Sequence, residues 1–225
     1  MLTVGGDHSV GSATLHALNS IYKDLKVIWV DAHPDFIDPT NSDYYGYHGY
    51  PAGHACGLSK PHIPGFDWLV NTIPYSNIVM VAIRDIDPDE WINLKKHNIK
   101  CYTMDHVLEY GIGEVMNQAI EYLDPQGDKP FHISFDIDAI EPIDSIGTGT
   151  KFRGGLRPIE ANYIVRKVAH MRKLVGLDVV EINPALEVEE GRHSFRGEEY
   201  YGLVSPTMGL GIDLIESIFT QYFTL

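Results

Sequence analysis

Three short stretches of the chain crowd acids and imidazoles where a simple turn would suffice. In GGDHS, Asp7 and His8 follow the apolar Leu2–Val4. In VIWVDAHPD, Asp31, His33 and Asp35 follow Val27–Val30, and in HISFDIDAIEP, Asp136 and Asp138 sit inside an apolar run. A single acid at a strand end is ordinarily a turn or a helix cap. Three such clusters at three strand ends ask for one explanation. Two imidazoles (His8, His33) and four carboxylates (Asp31, Asp35, Asp136, Asp138) brought together would repel and take up protons unless cations sat among them. A mixed nitrogen and oxygen set rich in carboxylates suits a hard or borderline divalent ion such as Mn2+. Six donors exceed the need of one ion that must also bind water, so two ions sharing carboxylates fit the count.

The surrounding elements must bring these stretches together. Short, nearly continuous apolar runs recur at Lys26–Asp31, Ile78–Arg84, Lys100–Thr103, Phe131–Asp138 and Leu174–Glu181. They read as parallel strands covered on both faces. Helical spacing lies between and after them: His8–Tyr22 with Asp7 or Ser9 as cap, Pro88–Lys96 with Asp87 as cap, then Asp105–Leu123, Pro158–Arg172 and Glu199–Phe223. The alternation predicts one α/β domain over residues 1–225 with a mostly parallel sheet. Open parallel sheets carry their sites beyond the carboxyl ends of the strands, so the charged clusters should converge on one edge. Phe36–Phe66 reads as one long irregular stretch, and a loop of that length is usually functional.

Composition narrows the partners. A net charge of −14 argues against nucleic acid or an anionic membrane. No run approaches the roughly 20 apolar residues that span a bilayer. Cys56 and Cys101 are too sparse for a disulfide framework, so a reducing, cytoplasmic setting is expected. Only Leu2–Val4 precedes the Gly5-Gly6 turn, so a short form or an unusually brief first strand is expected.

GGDHS, DAHPD, SFDIDAIEP (Ser134–Pro142) and EINP (Glu181–Pro184), in this order, resemble the motif set of the arginase/agmatinase (ureohydrolase) family. IRDIDPDE (Ile83–Glu90), GIGEVM and GTGT resemble its arginase branch. The resemblance implies a hydrolase with two Mn2+ per chain on a three-layer α/β/α fold, with part of the family's N-terminal segment missing. It implies that Asp31 and Asp136 bridge the ions, that His8 and Asp35 complete one site, and that His33 and Asp138 complete the other. It further implies Asp35 as a proton relay and His48 as a proton shuttle. Glu181 and Thr150 would then face the substrate guanidinium, and Asp87 would face its α-amino group. Glu141 stands where the family's D-x-D-x-x-D-P has its third acid.

One part of the match fails. Where arginases grip the substrate carboxylate with small polar side chains, this chain has Ile37, Ser42, Tyr44 and Gly46, and only Ser42 keeps a comparable hydroxyl. The leading expectation is hydrolysis of arginine to ornithine and urea. An agmatinase-like hydrolase of another guanidino compound is the alternative, and a non-catalytic metal-binding relative is a third. The resemblance also implies a homo-oligomer, trimer or hexamer. Glu160 matches an acidic interface position, and Ile159 replaces the basic residue that precedes it in many relatives.

Overall fold

The computed structural model describes residues 1–38, 46–58, 63–189 and 205–219. Its strands are β1 (Leu2–Val4), β2 (Lys26–Val30), β3 (Ile78–Ile83), β4 (Lys100–Thr103), β5 (Phe131–Asp136) and β6 (Leu174–Val180). Its helices are α1 (Val10–Ile21), α2 (Pro51–Ala55), α3 (Pro88–Lys96), α4 (Met104–Leu123), α5 (Pro158–His170), α6 (Pro184–Glu189) and α7 (Pro206–Glu216). The strands form one sheet in the order β1-β6-β5-β2-β3-β4, and every neighbouring pair is parallel. Parallel neighbours need crossovers, and the helices supply them.

Side-chain alternation along β2 explains the layers. Ile28 and Val30 face a core with residues of α4, α5 and α7; Val27 and Trp29 face a second core with residues of α1, α2 and α3. All four are fully buried, each worth about 1.5–3 kcal/mol for a large apolar side chain. The result is the expected three-layer arrangement, with the charged stretches at the carboxyl ends of β1, β2 and β5. Among the described residues, no helix is long and apolar enough to cross a membrane.

Several boundaries differ from the sequence expectation for identifiable reasons. Helix α1 begins at Val10, after His8, and Ser9 at its cap position makes no side-chain cap bond. Asp7 instead accepts the Ser9 N–H at 2.9 Å. The helix expected at Asp105–Leu123 starts at Met104 and kinks at Gly111, whose φ of 78° lies where glycine alone is unstrained. The helix expected at Glu199–Phe223 is α7, which starts after Ser205, whose Oγ accepts the Met208 N–H at 3.2 Å, and ends at Glu216; Glu199 and Phe223 lie outside the described residues. Phe36–Phe66 is not wholly irregular, since it contains a 3₁₀ turn, Tyr47–Gly49, and then α2.

Behind the site a buried polar cluster ties three elements. His132 Nε2 of β5 lies 3.1 Å from Asp178 Oδ2 of β6, and Thr14 Oγ1 of α1 donates to the same oxygen at 2.5 Å. His132 and Asp178 are both fully buried.

Candidate metal centre and pocket

The tip of β2 builds the centre of the site. Asp31 N donates to Val81 O at 3.2 Å, so the chain leaves the sheet in register with β3. Asp35 then adopts φ 50°, a left-handed conformation that aspartate tolerates better than most residues. At the tip of β5, Ile137–Ala139 forms a 3₁₀ turn in which Asp136 Oδ1 accepts the Asp138 N–H at 2.8 Å. Asp138 Oδ1 in turn accepts the Ala32 N–H at 3.1 Å, which docks the two strand tips together. Arg84, just past β3, donates to the Asp138 carbonyl at 2.7 Å and to that of Ala139 at 3.2 Å. His8 arrives from the other side, where Glu181 Oε1 accepts its backbone N–H at 2.7 Å.

The donors are packed too closely for proton sharing to satisfy them. His8 Nδ1 lies 3.1 Å from Asp31 Oδ2, 3.1 Å from Asp35 Oδ2 and 3.2 Å from Asp136 Oδ2. It meets none of them with hydrogen-bond geometry, and it is 1% exposed. Its other nitrogen, Nε2, is 2.8 Å from Ser134 Oγ, which turns Nδ1 toward the acids. One ring proton cannot serve three carboxylates. His33 Nδ1 lies 3.1 Å from Asp138 Oδ2 and 3.4 Å from Asp31 Oδ1. Two donor sets follow, His8/Asp31/Asp35 and Asp31/His33/Asp138, each with its atoms within 4.8 Å, and Asp31 belongs to both.

Without cations these groups bind protons tightly. Burial alone would lower the His8 value, but Asp136, Asp31 and Asp35 raise it well above the ordinary imidazole range. Burial opposes the His33 imidazolium too, yet Asp138 and Asp31 push it up to about 12. Burial, then the Asp31 charge, pushes Asp35 well above the usual carboxylate range; burial, then Asp138 and Asp31, does the same to Asp136. Burial opposes ionisation of Asp31 as well, but His33 and His8 hold its carboxyl below the usual range. An orphaned imidazole nitrogen facing three carboxylates, and a carboxylate common to two donor sets, fit a pair of divalent cations.

Of the six sequence-derived donors, His8, His33, Asp35, Asp136 and Asp138 line a cavity of about 150 Å³ together with Glu181, Asp87, Thr150, His48 and Ile37, whereas Asp31 is fully buried and does not line it. Glu181 sits at φ 60° past β6, and its own N–H donates to Gly6 O at 2.7 Å. Burial raises its carboxyl, while the His8 backbone contact opposes the shift. His48 stands at the mouth with Nδ1 3.8 Å from Asp7 Oδ2. Ser42 and Tyr44 lie outside the described residues. Glu141 Oε2 accepts the N–H groups of Gly154 and Gly155 at 2.8 and 2.7 Å, so it orders the chain after GTGT.

Glu90 is one residue that sequence reasoning missed. Its buried carboxylate accepts Phe36 N at 2.9 Å and Asp87 N at 3.2 Å, linking the Asp35 turn to the start of α3. Burial pushes it up to about 7. The D-x-x-E spacing from Asp87 to Glu90 is a capping-box signal that could have found it. Trp29 and Ser134 were missed as well, though each lies two residues before a donor acid and so on its side of the strand.

Residues 1–200 match the family model described as Arginase family. An arginase of Schizosaccharomyces pombe is 40% identical over 190 residues, covering 84% of this chain and 59% of that protein. Arginase, non-hepatic 3, of Xenopus laevis is 39% identical over 225 residues, covering 98% of this chain and 59% of that one. The chain thus spans somewhat over half the length of the curated relatives it matches. Among solved structures, arginase from Bacillus caldovelox superposes with a TM-score of 0.85 at 29% identity, covering 99% of this chain and 69% of that one. The arginase of Entamoeba histolytica, solved with L-ornithine, gives 0.82 at 31% identity, covering 98% and 69%. With the matched residues running through all the site-bearing strand tips, the chain belongs to the arginase family.

Proposed function

We propose that the chain is an amidinohydrolase that uses two Mn2+ ions to cleave a guanidino group to urea, with arginine as its substrate and ornithine as the amine product. The observation that carries this reading is the sharing of Asp31 between two donor sets that face one acidic pocket. His8 and Asp35 would hold one ion and His33 and Asp138 the other, with Asp31 and Asp136 shared by both. When bound, such ions supply hydroxide at neutral pH by lowering the pKa of water. Glu181 pairs with the substrate guanidinium, a planar cation matched to a carboxylate. Thr150 borders that contact. Asp35 would act as the proton relay, delivering a proton to the departing amine. His48, at the mouth, serves as the proton shuttle between the site and solvent. Asp87, at the start of α3, holds the α-ammonium group.

Relatives named arginase support this substrate, and one of them was solved with L-ornithine. Ile37 supports a second reading. It is an apolar part of the pocket wall, 7% exposed, where a substrate carboxylate would need hydrogen bonds. A guanidino compound lacking that carboxylate, such as agmatine, suits such a wall better. Urea release from Mn2+-loaded protein, measured with arginine and agmatine side by side, separates the readings. Faster release from arginine upholds the first and faster release from agmatine the second. Release from neither, with two ions bound, would leave a non-catalytic metal-binding relative.

A further inference from the structure

The turn that carries His48 is anchored by its neighbour. In a 3₁₀ turn successive side chains diverge by a third of a revolution. His48 lines the pocket, and Tyr47 points the other way, toward α1 and α2. The Tyr47 hydroxyl lies 2.8 Å from Ser12 Oγ on α1 and 2.6 Å from His54 Nδ1 on α2. Its ring stacks on Phe66, with centroids 4.6 Å apart and planes at 30°, and meets Tyr50 and His54 edge-on.

We propose that Tyr47, through Ser12 and His54, is the positioning residue that sets the orientation of His48 at the mouth of the pocket. This rests on the reading of His48 as the proton carrier. The backbone bonds Gly49 N to Gly46 O (3.1 Å) and Tyr50 N to Tyr47 O (2.9 Å) close the turn on itself. They do not set its roll about the chain axis. The Tyr47 hydroxyl does, because it is bound to two helices at once. One hydrogen-bond direction satisfies every member: His54 Nδ1–H donates to Tyr47, Tyr47 donates to Ser12, and Ser12 donates to Pro51 O at 3.4 Å. Burial pushes the Tyr47 hydroxyl up to about 12, so it stays a neutral donor throughout the working range.

Both helices also adjoin the proposed metal donors. Ser12 lies one turn beyond His8 at the start of α1, and Gly53 of α2 donates its N–H to Asp35 O at 3.1 Å. Tyr47 therefore fixes the proton carrier to the same frame as His8 and Asp35. Geometry at the mouth and at the donors is locked together.

The test is a double-mutant cycle on the Mn2+-loaded full chain, with Tyr47→Phe and His48→Ala. Phe keeps the stack on Phe66 and removes only the hydroxyl. Tyr47→Phe should lower kcat about tenfold with KM within about twofold, because a misaligned relay slows proton transfer but not binding. In the His48→Ala background it should lower kcat no further. An equal loss in both backgrounds, or none in either, overturns the proposal. If His48→Ala leaves kcat unchanged, the proton-carrier reading fails by itself, and the His48 imidazole NMR signal then judges Tyr47 without turnover. That signal should shift or broaden in Tyr47→Phe; an unaltered signal overturns the positioning role.

Discussion

The imidazole of His8 lies flat on the indole of Trp29, with ring centroids 4.1 Å apart and planes at 8°. The same indole donates its Nε1–H to Asp31 Oδ2 at 3.1 Å. One apolar side chain in the core thus sets two polar ones at the tip of the sheet. Gly11 makes room for it, since a Cβ there would sit 3.0 Å from the indole edge. Like charges do not cohere by themselves, so the scaffold must hold them in place before any cation arrives.

Trp29→Phe keeps an aromatic face for His8 and removes the donor to Asp31. Supporting groups around metal ligands are commonly worth about 10–100-fold in affinity. Mn2+ affinity, read by competition with a chelator on protein still folded at the assay temperature, should fall by about that factor, alongside the lower melting temperature that a smaller buried ring brings. Unchanged affinity would mean that the indole does not orient Asp31.

Metal stoichiometry should distinguish the shared carboxylate from the terminal donors. Asp31→Ala removes a member of both donor sets and should abolish binding of both ions; Asp136→Ala, as the second bridge, should do likewise. His8→Ala should weaken one ion and spare the other. Metal analysis of the dialysed variants checks this, and two ions retained in Asp31→Ala would rule out the shared role.

Proton and metal binding compete at the same atoms, which sets a sign for pH dependence. His8, His33, Asp35, Asp136 and Asp138 all hold their protons more tightly in the folded, metal-free chain than their ordinary values allow. For a raised group the stability contribution is full below the ordinary pKa and is lost as pH rises through the shifted one. The lowered Asp31 acts oppositely, losing its contribution only as pH falls below the ordinary carboxylate range. Metal-free stability should therefore begin to decline as pH rises above about 4, where the raised carboxylates start to lose their contribution, and fall further above about 6.5 with the imidazoles, whereas Mn2+ needs deprotonated donors and gains. The melting-temperature difference between Mn2+-loaded and metal-free protein should widen from about pH 6 to about pH 9. A constant difference would disconnect these donors from the metal.

The buried His132–Asp178 pair should govern stability rather than chemistry. Asp178→Ala leaves His132 and Thr14 without their common acceptor in a fully buried position. Leaving a buried polar group without its partner costs about 1–3 kcal/mol. Denaturant melting should show that loss, with metal stoichiometry unchanged in the protein that remains folded.

Substrate preference should respond to the pocket wall. Ile37→Asn with Gly46→Asn adds polar groups near the mouth, where small polar side chains are expected to hold a carboxylate. The pair should raise kcat/KM for arginine and leave agmatine nearly unchanged, each new charged hydrogen bond being worth about 1.5–3 kcal/mol. Equal gains for both substrates would remove the carboxylate from the explanation.

Much of this site is legible before any fold is known, because strand tips announce themselves. An apolar run ending in Asp31-Ala32-His33-Pro34-Asp35 has only a few places to be in an α/β sheet, and Asp136/Asp138 must join it at the same edge. Local signals also gave α3 its cap and start, since Asp87-Pro88 precedes an amphipathic run. Local signals failed at Gly111, where a glycine inside a helical pattern reads as continuation, although its backbone turns left-handed.

Residue types and spacing alone determined the parallel α/β frame and picked out the crowded acids and imidazoles that it brings to one edge. They could do so because charge crowding and the strand period are local properties of the chain. Only the tertiary structure decided which acids and imidazoles lie within reach of one another, that Trp29 sits under His8, that Glu90 joins the Asp35 turn to α3, and that Tyr47 binds two helices. Those are contacts between residues far apart in sequence, or between faces that periodicity leaves undefined. Nothing in a stretch of ten residues encodes the distance of 3.1 Å that brings His8 Nδ1 to Asp31, because that distance belongs to the packing of β1, β2 and α1 against one another.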